Sequence, residues 1–98
     1  MEVSITARHG SITEEAHDLI KQKAAKLPRF YERVTQVEVV IDLQRSEEPD
    51  VEMKVCAEHH DDFFARAKGQ NVLSAVEAAV QKMEQQLRKY KEKVTGHR

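Results

Sequence analysis

Cysteine is almost absent from this 98-residue chain. Cys56 is the single thiol, so no internal disulfide can form, and a reducing cytoplasm suits the protein. Tryptophan is missing, aromatics are 5% of the residues and glycine occurs three times. No Gly-rich loop of the kind that cradles nucleotide phosphates is present. Apolar runs such as Val39-Val40-Ile41 fall far short of the ~20 residues of a membrane-spanning helix. The opening MEVSITARHG lacks the basic-then-apolar order of a signal peptide. Paired catalytic carboxylates and a Ser/His/Asp set are not recognisable, and a chain this short has little room for a deep catalytic cleft. Glu58-His59-His60-Asp61-Asp62 invites a metal reading. Adjacent strand residues point to opposite faces, however, and no second cluster completes a site, so a polar hairpin loop is expected there. Neither an enzyme nor a cofactor, metal, membrane or small-molecule substrate is implied.

What the chain has is charge, 34% of its residues, sorted into blocks that the formal net charge of −1 conceals. Residues 21–33 carry Lys21, Lys23, Lys26, Arg29 and Arg33 against Glu32. Residues 81–98 carry Lys82, Arg88, Lys89, Lys91, Lys93 and Arg98 against Glu84 and Glu92. Between them, residues 38–62 hold nine acids against Arg45 and Lys54. Such asymmetry speaks to partners rather than to fold.

Without long Pro, Gly or Ser tracts, residues 1–98 are expected to form one domain. Val3, Ile5 and Ala7 alternate with polar residues from Glu2 to Arg8, predicting a half-buried strand. Thr13 is a suitable N-cap, with Glu14 and Glu15 at the positive end of a helix dipole. Ala16, Leu19, Ile20, Ala24 and Leu27 follow at helical spacing, and Pro28 sets the stop. Alternation predicts a second strand over 34–45, a turn over 46–50 and a third strand from 51, with Cys56 on its outer side as a spectator thiol. A short fourth strand is predicted over 63–67, then a loop, then a long helix from the cap Asn71 to Lys93. The fold class is α+β, in the order β-α-β-β-β-α. Its four-stranded mixed sheet has a parallel first pair and both helices on the one apolar face. The opposite face would carry Glu2, Glu38, Asp42, Glu52 and Glu58, without exposed aromatics, and would repel nucleic acid.

The last helix carries the strongest functional signal. Val72, Val76, Ala79, Val80, Met83, Leu87 and Tyr90 form its core stripe, and at ~100° per residue Lys82, Gln86, Lys89 and Lys93 fall on one line beside it. Lys23 lies within the stripe of the first helix, and Lys26 at its edge. Either these lysines merely snorkel over apolar surface, or the two lysine edges face each other and line a basic groove for a polyanion. The run Arg88-Lys89-Tyr90-Lys91-Glu92-Lys93 is open to the same two readings, as a solvated helix end or as a phosphate contact.

The chain resembles the ribosome hibernation-promoting factor and ribosome-associated inhibitor family, also known as the sigma-54 modulation protein family. The likeness is carried in order by Ile5-Thr6, Ile12-Thr13, Lys23-Ala24-Ala25-Lys26-Leu27, Val37-Glu38-Val39-Val40, Ala65-Arg66-Ala67, Ala75-Val76-Glu77 and residues 82–91 (KMEQQLRKYK). It implies a β-α-β-β-β-α fold similar to a double-stranded-RNA-binding domain with an added first strand. It also implies a bacterial, cytoplasmic stress-response protein, monomeric off the ribosome. Such a protein binds the small ribosomal subunit and its rRNA, blocks the messenger and transfer RNA channel, and inhibits translation without catalysis. By position the resemblance assigns RNA contacts to Lys23, Lys26, Lys82, Arg88, Lys89, Lys91 and Lys93, with Arg88 the weakest match. Asn71, Leu73 and Gln85 depart from the family's usual acidic, aromatic and basic residues. Ending at Arg98 without the C-terminal dimerisation domain of the long forms, the chain looks like the short form if it is full length; as a piece of a longer chain it would fit the long form. A free-standing double-stranded-RNA-binding module and a protein–protein adaptor using the acidic sheet face are the alternatives.

Overall fold

The computed structural model describes residues 1–95. Strands β1 (Glu2–Arg8), β2 (Val34–Asp42), β3 (Asp50–Ala57) and β4 (His60–Lys68) lie side by side in that order in one sheet. β1 and β2 are parallel, and the remaining pairs are antiparallel. Helix α1 (Glu14–Ala24) connects the parallel pair, and α2 (Val72–Thr95) follows β4. The order of elements and the mixed sheet are those the alternation predicts.

The core is one-sided. Val37, Val39 and Ile41 of β2 and Val51, Met53 and Val55 of β3 are fully buried, beneath Ile20 and Ala24 of α1 and Val76, Ala79, Met83 and Leu87 of α2. α2 lies over β3 and β4, while α1 packs against β1 and α2. β4 contributes Phe63, Ala65 and Ala67; its alanines leave room for α2 to come close.

Local chemistry sets the ends of the elements. The Thr13 hydroxyl accepts from the amide of Ala16 at 3.0 Å and starts α1. α1 stops at Ala24, earlier than the spacing to Leu27 suggests. Pro28 cannot continue the helix, and the chain turns through a 3₁₀ segment, Leu27–Arg29, that still buries Leu27. Asn71 caps α2 reciprocally: its Oδ1 accepts from the Ser74 amide at 2.8 Å, and the Ser74 hydroxyl accepts from the Asn71 amide at 3.2 Å. Gly69 permits the tight entry, since a Cβ there would sit 2.6 Å from the Ala75 nitrogen.

Four expectations change. β2 ends at Asp42 instead of 45, because the Asp42 carboxylate accepts from the Gln44 amide at 2.9 Å and turns the chain. β4 begins at His60 instead of Phe63. A two-residue turn, Glu58-His59, with His59 in the left-handed region (φ 61°), lets Ala57 pair with His60. A bulge then sets Cys56 opposite Asp61 and Asp62. It turns His60 inward, to stack on Phe63 with ring centroids 4.3 Å apart. Leu19, assigned to the core, is 43% exposed; Ile20 and Ala24 are the buried residues of α1, followed by Leu27 in the 3₁₀ segment.

The fourth change concerns the outer sheet face, which is neither uniformly acidic nor free of aromatics. Phe64 stands 59% exposed on it. Its acids are matched by cations: Lys54 lies 3.5 Å from Glu38, Arg66 lies 2.7 Å from Asp50, and Glu52 is registered with Arg66 across the ladder. Arg66 holds the Asp50 carboxyl below its usual range. Glu58 lies at the turn instead, 3.3 Å from Arg33. An adaptor surface made of bare acid is therefore not what the sheet offers.

Leu87→Ala, at a fully buried site, is expected to cost about 2–5 kcal/mol in denaturant unfolding, while Leu19→Ala costs less than about 1 kcal/mol. Equal losses would return Leu19 to the core.

Candidate nucleic-acid interface

The seven cations singled out from the sequence do not share one groove. Five of them lie on two flanks of α2, separated by the core stripe on one side of the helix and solvent on the other, while Lys23 lies on α1 and Lys26 just after it. On the flank toward β4, the Lys82 ammonium donates to the carbonyl of Arg66 at 2.8 Å, and the Gln86 amide donates to the carbonyl of Phe64 at 2.6 Å. Lys89 and Lys93 continue that line beside Phe63 and Tyr90, around an open apolar depression. On the flank toward α1, Glu77, Gln81 and Glu84 line a cleft with Lys23 and Lys26. Further along this flank, Arg88 places its guanidinium 5.3 Å from the centre of the Phe30 ring, and Lys91 lies 3.0 Å from Glu32. The structure thus groups Lys23, Lys26, Arg88 and Lys91 on one side, and Lys82, Lys89 and Lys93 on the other. Arg98, counted with the basic C-terminal block, lies outside the described residues.

The expectation of two lysine rows facing each other across one groove is corrected accordingly. Helical spacing correctly aligns Lys82, Gln86, Lys89 and Lys93. It does not say on which side of the core stripe α1 will lie. That is decided by the crossover between β1 and β2, which sets α1 on the far side of α2 from the β4 edge.

Two carboxylates that sequence reasoning passed over tie the α1 flank together. Glu77 Oε2 lies 2.8 Å from the Lys23 ammonium, and Glu32 reaches Lys91. The hydrogen bond from Lys23, then its charge, holds the Glu77 carboxyl below the ordinary glutamate value of 4.5. The hydrogen bond from Lys91 is the largest cause of the same shift at Glu32. Glu77 was visible in the sequence as the start of the line Glu77, Gln81, Glu84, Arg88. Its partner was not, because Lys23 lies on another helix.

Aromatic packing fixes the far end of α2. Tyr90 meets the Tyr31 ring at 5.3 Å, His60 at 4.1 Å and Phe63 at 5.5 Å. Tyr31 is 5% exposed, and burial pushes its phenol pKa up. His60, expected from the sequence to lie in a polar hairpin loop with His59, is a member of this cluster. Cys56 is half-buried on the outer sheet face. Burial and then the neighbouring Asp62 raise its pKa, away from the reactive thiolate.

Comparisons with known proteins agree from one end of the chain to the other. The family described as "Sigma 54 modulation protein / S30EA ribosomal protein" matches residues 3–95. The ribosome hibernation promoting factor of Escherichia coli K12 is 30% identical over 98 residues, spanning 99% of this chain and 100% of that protein. The ribosome hibernation promoting factor of Pseudomonas putida is 26% identical, over 95% of this chain and 89% of its own. Among solved structures, the N-terminal domain of Thermus thermophilus Protein Y superposes with a TM-score of 0.79 at 21% identity, covering 92% of this chain and 99% of that one. A ribosomal subunit interface protein from Coxiella burnetii also superposes with a TM-score of 0.79, at 20% identity, over 93% and 98%. These two similarities concern the fold.

Because Glu32 and Glu77 have lowered pKa values when folded, the stability they contribute is complete above their unfolded value and lost as pH falls through the folded ones. The double variant Glu32→Gln/Glu77→Gln is expected to melt slightly below the parent at about pH 7, as exposed ion pairs allow, and the gap is expected to narrow at acidic pH well below 4.5. Thermal unfolding monitored by circular dichroism at both pH values checks this; an undiminished gap at low pH would show that the ion pairs are not its source.

Proposed function

The chain belongs to the sigma 54 modulation protein / S30EA ribosomal protein family, and on that premise we propose that it is a ribosome hibernation factor acting in the cytoplasm. It binds the small ribosomal subunit, occupies the channel through which messenger and transfer RNA pass, and holds idle ribosomes inactive. The observation that carries this reading is the end-to-end match to the hibernation promoting factor of Escherichia coli.

The mechanism is occupancy reinforced by phosphate neutralisation. With cations on both flanks, α2 is a basic ridge rather than one wall of a groove. Lys23, Lys26, Arg88 and Lys91 address RNA on the α1 side, while Lys82, Lys89 and Lys93 address RNA on the β4 side. A ridge of this kind suits a channel with nucleic acid on both walls. The lysines that now bond to protein groups do so at exposed positions, where exchange for a phosphate costs little. No covalent step is required, which agrees with a thiol held away from reactivity.

Binding that neutralises several phosphates releases counterions, so ribosome affinity is expected to fall at least about tenfold between low salt and roughly 200 mM monovalent salt. Fluorescence anisotropy of labelled protein titrated with ribosomes measures it, and a flat response would remove the phosphate-dominated site. An occupancy inhibitor must also act in proportion to the ribosomes it fills. In-vitro translation is expected to stop near one copy per ribosome and to recover when messenger and initiator transfer RNA are raised. Inhibition at far below one copy per ribosome, surviving a salt wash, would point to catalytic damage instead.

A further inference from the structure

The cleft between the helices is not simply basic. Lys23, Lys26, Glu77, Val80, Gln81 and Glu84 enclose about 210 Å³. That is smaller than the ~300–1,000 Å³ typical of pockets that take drug-sized ligands, and it fits one backbone unit of a polymer better than a whole nucleotide. Glu77 is one of its walls, bonded to Lys23 at 2.8 Å while its side chain stays 57% exposed. As an exposed glutamate whose pKa Lys23 lowers further, it is ionised at neutral pH and can only accept hydrogen bonds. A carboxylate in this position repels any phosphate that approaches Lys23 unless the same ligand also brings a hydrogen-bond donor to satisfy it.

We propose that Glu77 is a specificity residue of the inter-helix cleft, one that admits a ribose–phosphate unit by accepting its 2′-hydroxyl while Lys23 and Lys26 hold the phosphate. The inference deepens the ribosome-binding reading and rests on it. The ligand class follows from the pairing of groups. Two ammonium groups ask for an anion; of the two carboxylates that line the same cleft, Glu77, the one bonded to Lys23, asks for a donor at sugar distance from that anion. In nucleic acid the 2′-hydroxyl is the donor that RNA has and DNA lacks. A bare polyanion offers only more negative charge. On this account, the acid weakens binding to wrong partners in exchange for one hydrogen bond to the right one.

The test separates the hydroxyl proton from charge and helix shape. Labelled protein bound to ribosomes at low salt is displaced with a short duplex RNA, with its fully 2′-O-methylated counterpart, and with heparin. The methylated duplex keeps the charge and A-form geometry but cannot donate. The parent protein is expected to prefer unmodified over methylated RNA by roughly two- to tenfold, the range of a single net hydrogen bond. Glu77→Ala, which removes the acceptor as well as the charge, is expected to lose that preference and to bind heparin about two- to fivefold more tightly, as the removal of one exposed charge allows. Circular dichroism confirms that the variant is folded. No preference for unmodified RNA in the parent overturns the proposal, as does a Glu77→Ala variant that keeps the preference or tightens equally on all three competitors. Failure of the parent to bind ribosomes at all would instead overturn the hibernation reading.

Discussion

Val37, Val39, Ile41, Val51, Met53 and Val55 are sealed from solvent on one side of the sheet, and the rest of the molecule is arranged around that burial. Both helices must lie on this side, because no other apolar surface of comparable extent exists among the described residues. Four strands give room for two helices abreast, and the crossover between β1 and β2 decides which helix takes which half. The orientation of α2 follows: Met83 and Leu87 face down, one flank faces α1, and the other faces the β4 edge. Every cation on α2 takes its position from this packing, although none is part of the core.

The alternation in β1 to β3, the Thr13 and Asn71 caps and the stripe of α2 were all legible in the sequence, because each depends on neighbours within a few residues. The positions that changed depend on contacts between distant segments. Leu19 fits helical spacing as well as Ile20 does, and only the place of α1 on the sheet leaves it outside. His60 reads as loop because a bulge cannot be seen in one strand alone; it takes the pairing of Cys56 with two residues to turn the ring inward. Phe64 sits one residue out of step with Phe63, so a pair of adjacent aromatics necessarily sends one to each face.

For the candidate site, the sequence supplied the residues but not their grouping. A line of lysines on a helix is periodicity; the side of the helix that meets α1 is topology. The acids were harder still. Glu77 and Glu32 look like ordinary surface charge until Lys23 and Lys91 are found within hydrogen-bonding distance. Their presence changes the character of the surface from a uniform attractor of anions to one with built-in competition, in which a ligand is judged by what it offers the carboxylates as well as the ammonium groups.

Lys82 and Gln86 reach over the outer strand of the sheet and bond to the carbonyls of Arg66 and Phe64. Those two oxygens are part of the ladder that a further strand would need. On the proposed occupancy mechanism the protein must accumulate to the level of its target, which brings copies of it close together. An open strand edge beside an exposed Phe64 would then invite sheet-to-sheet stacking and loss of soluble material. Side chains from α2 that occupy the edge satisfy those carbonyls, so the helix proposed to meet RNA also stands in the way of an added strand.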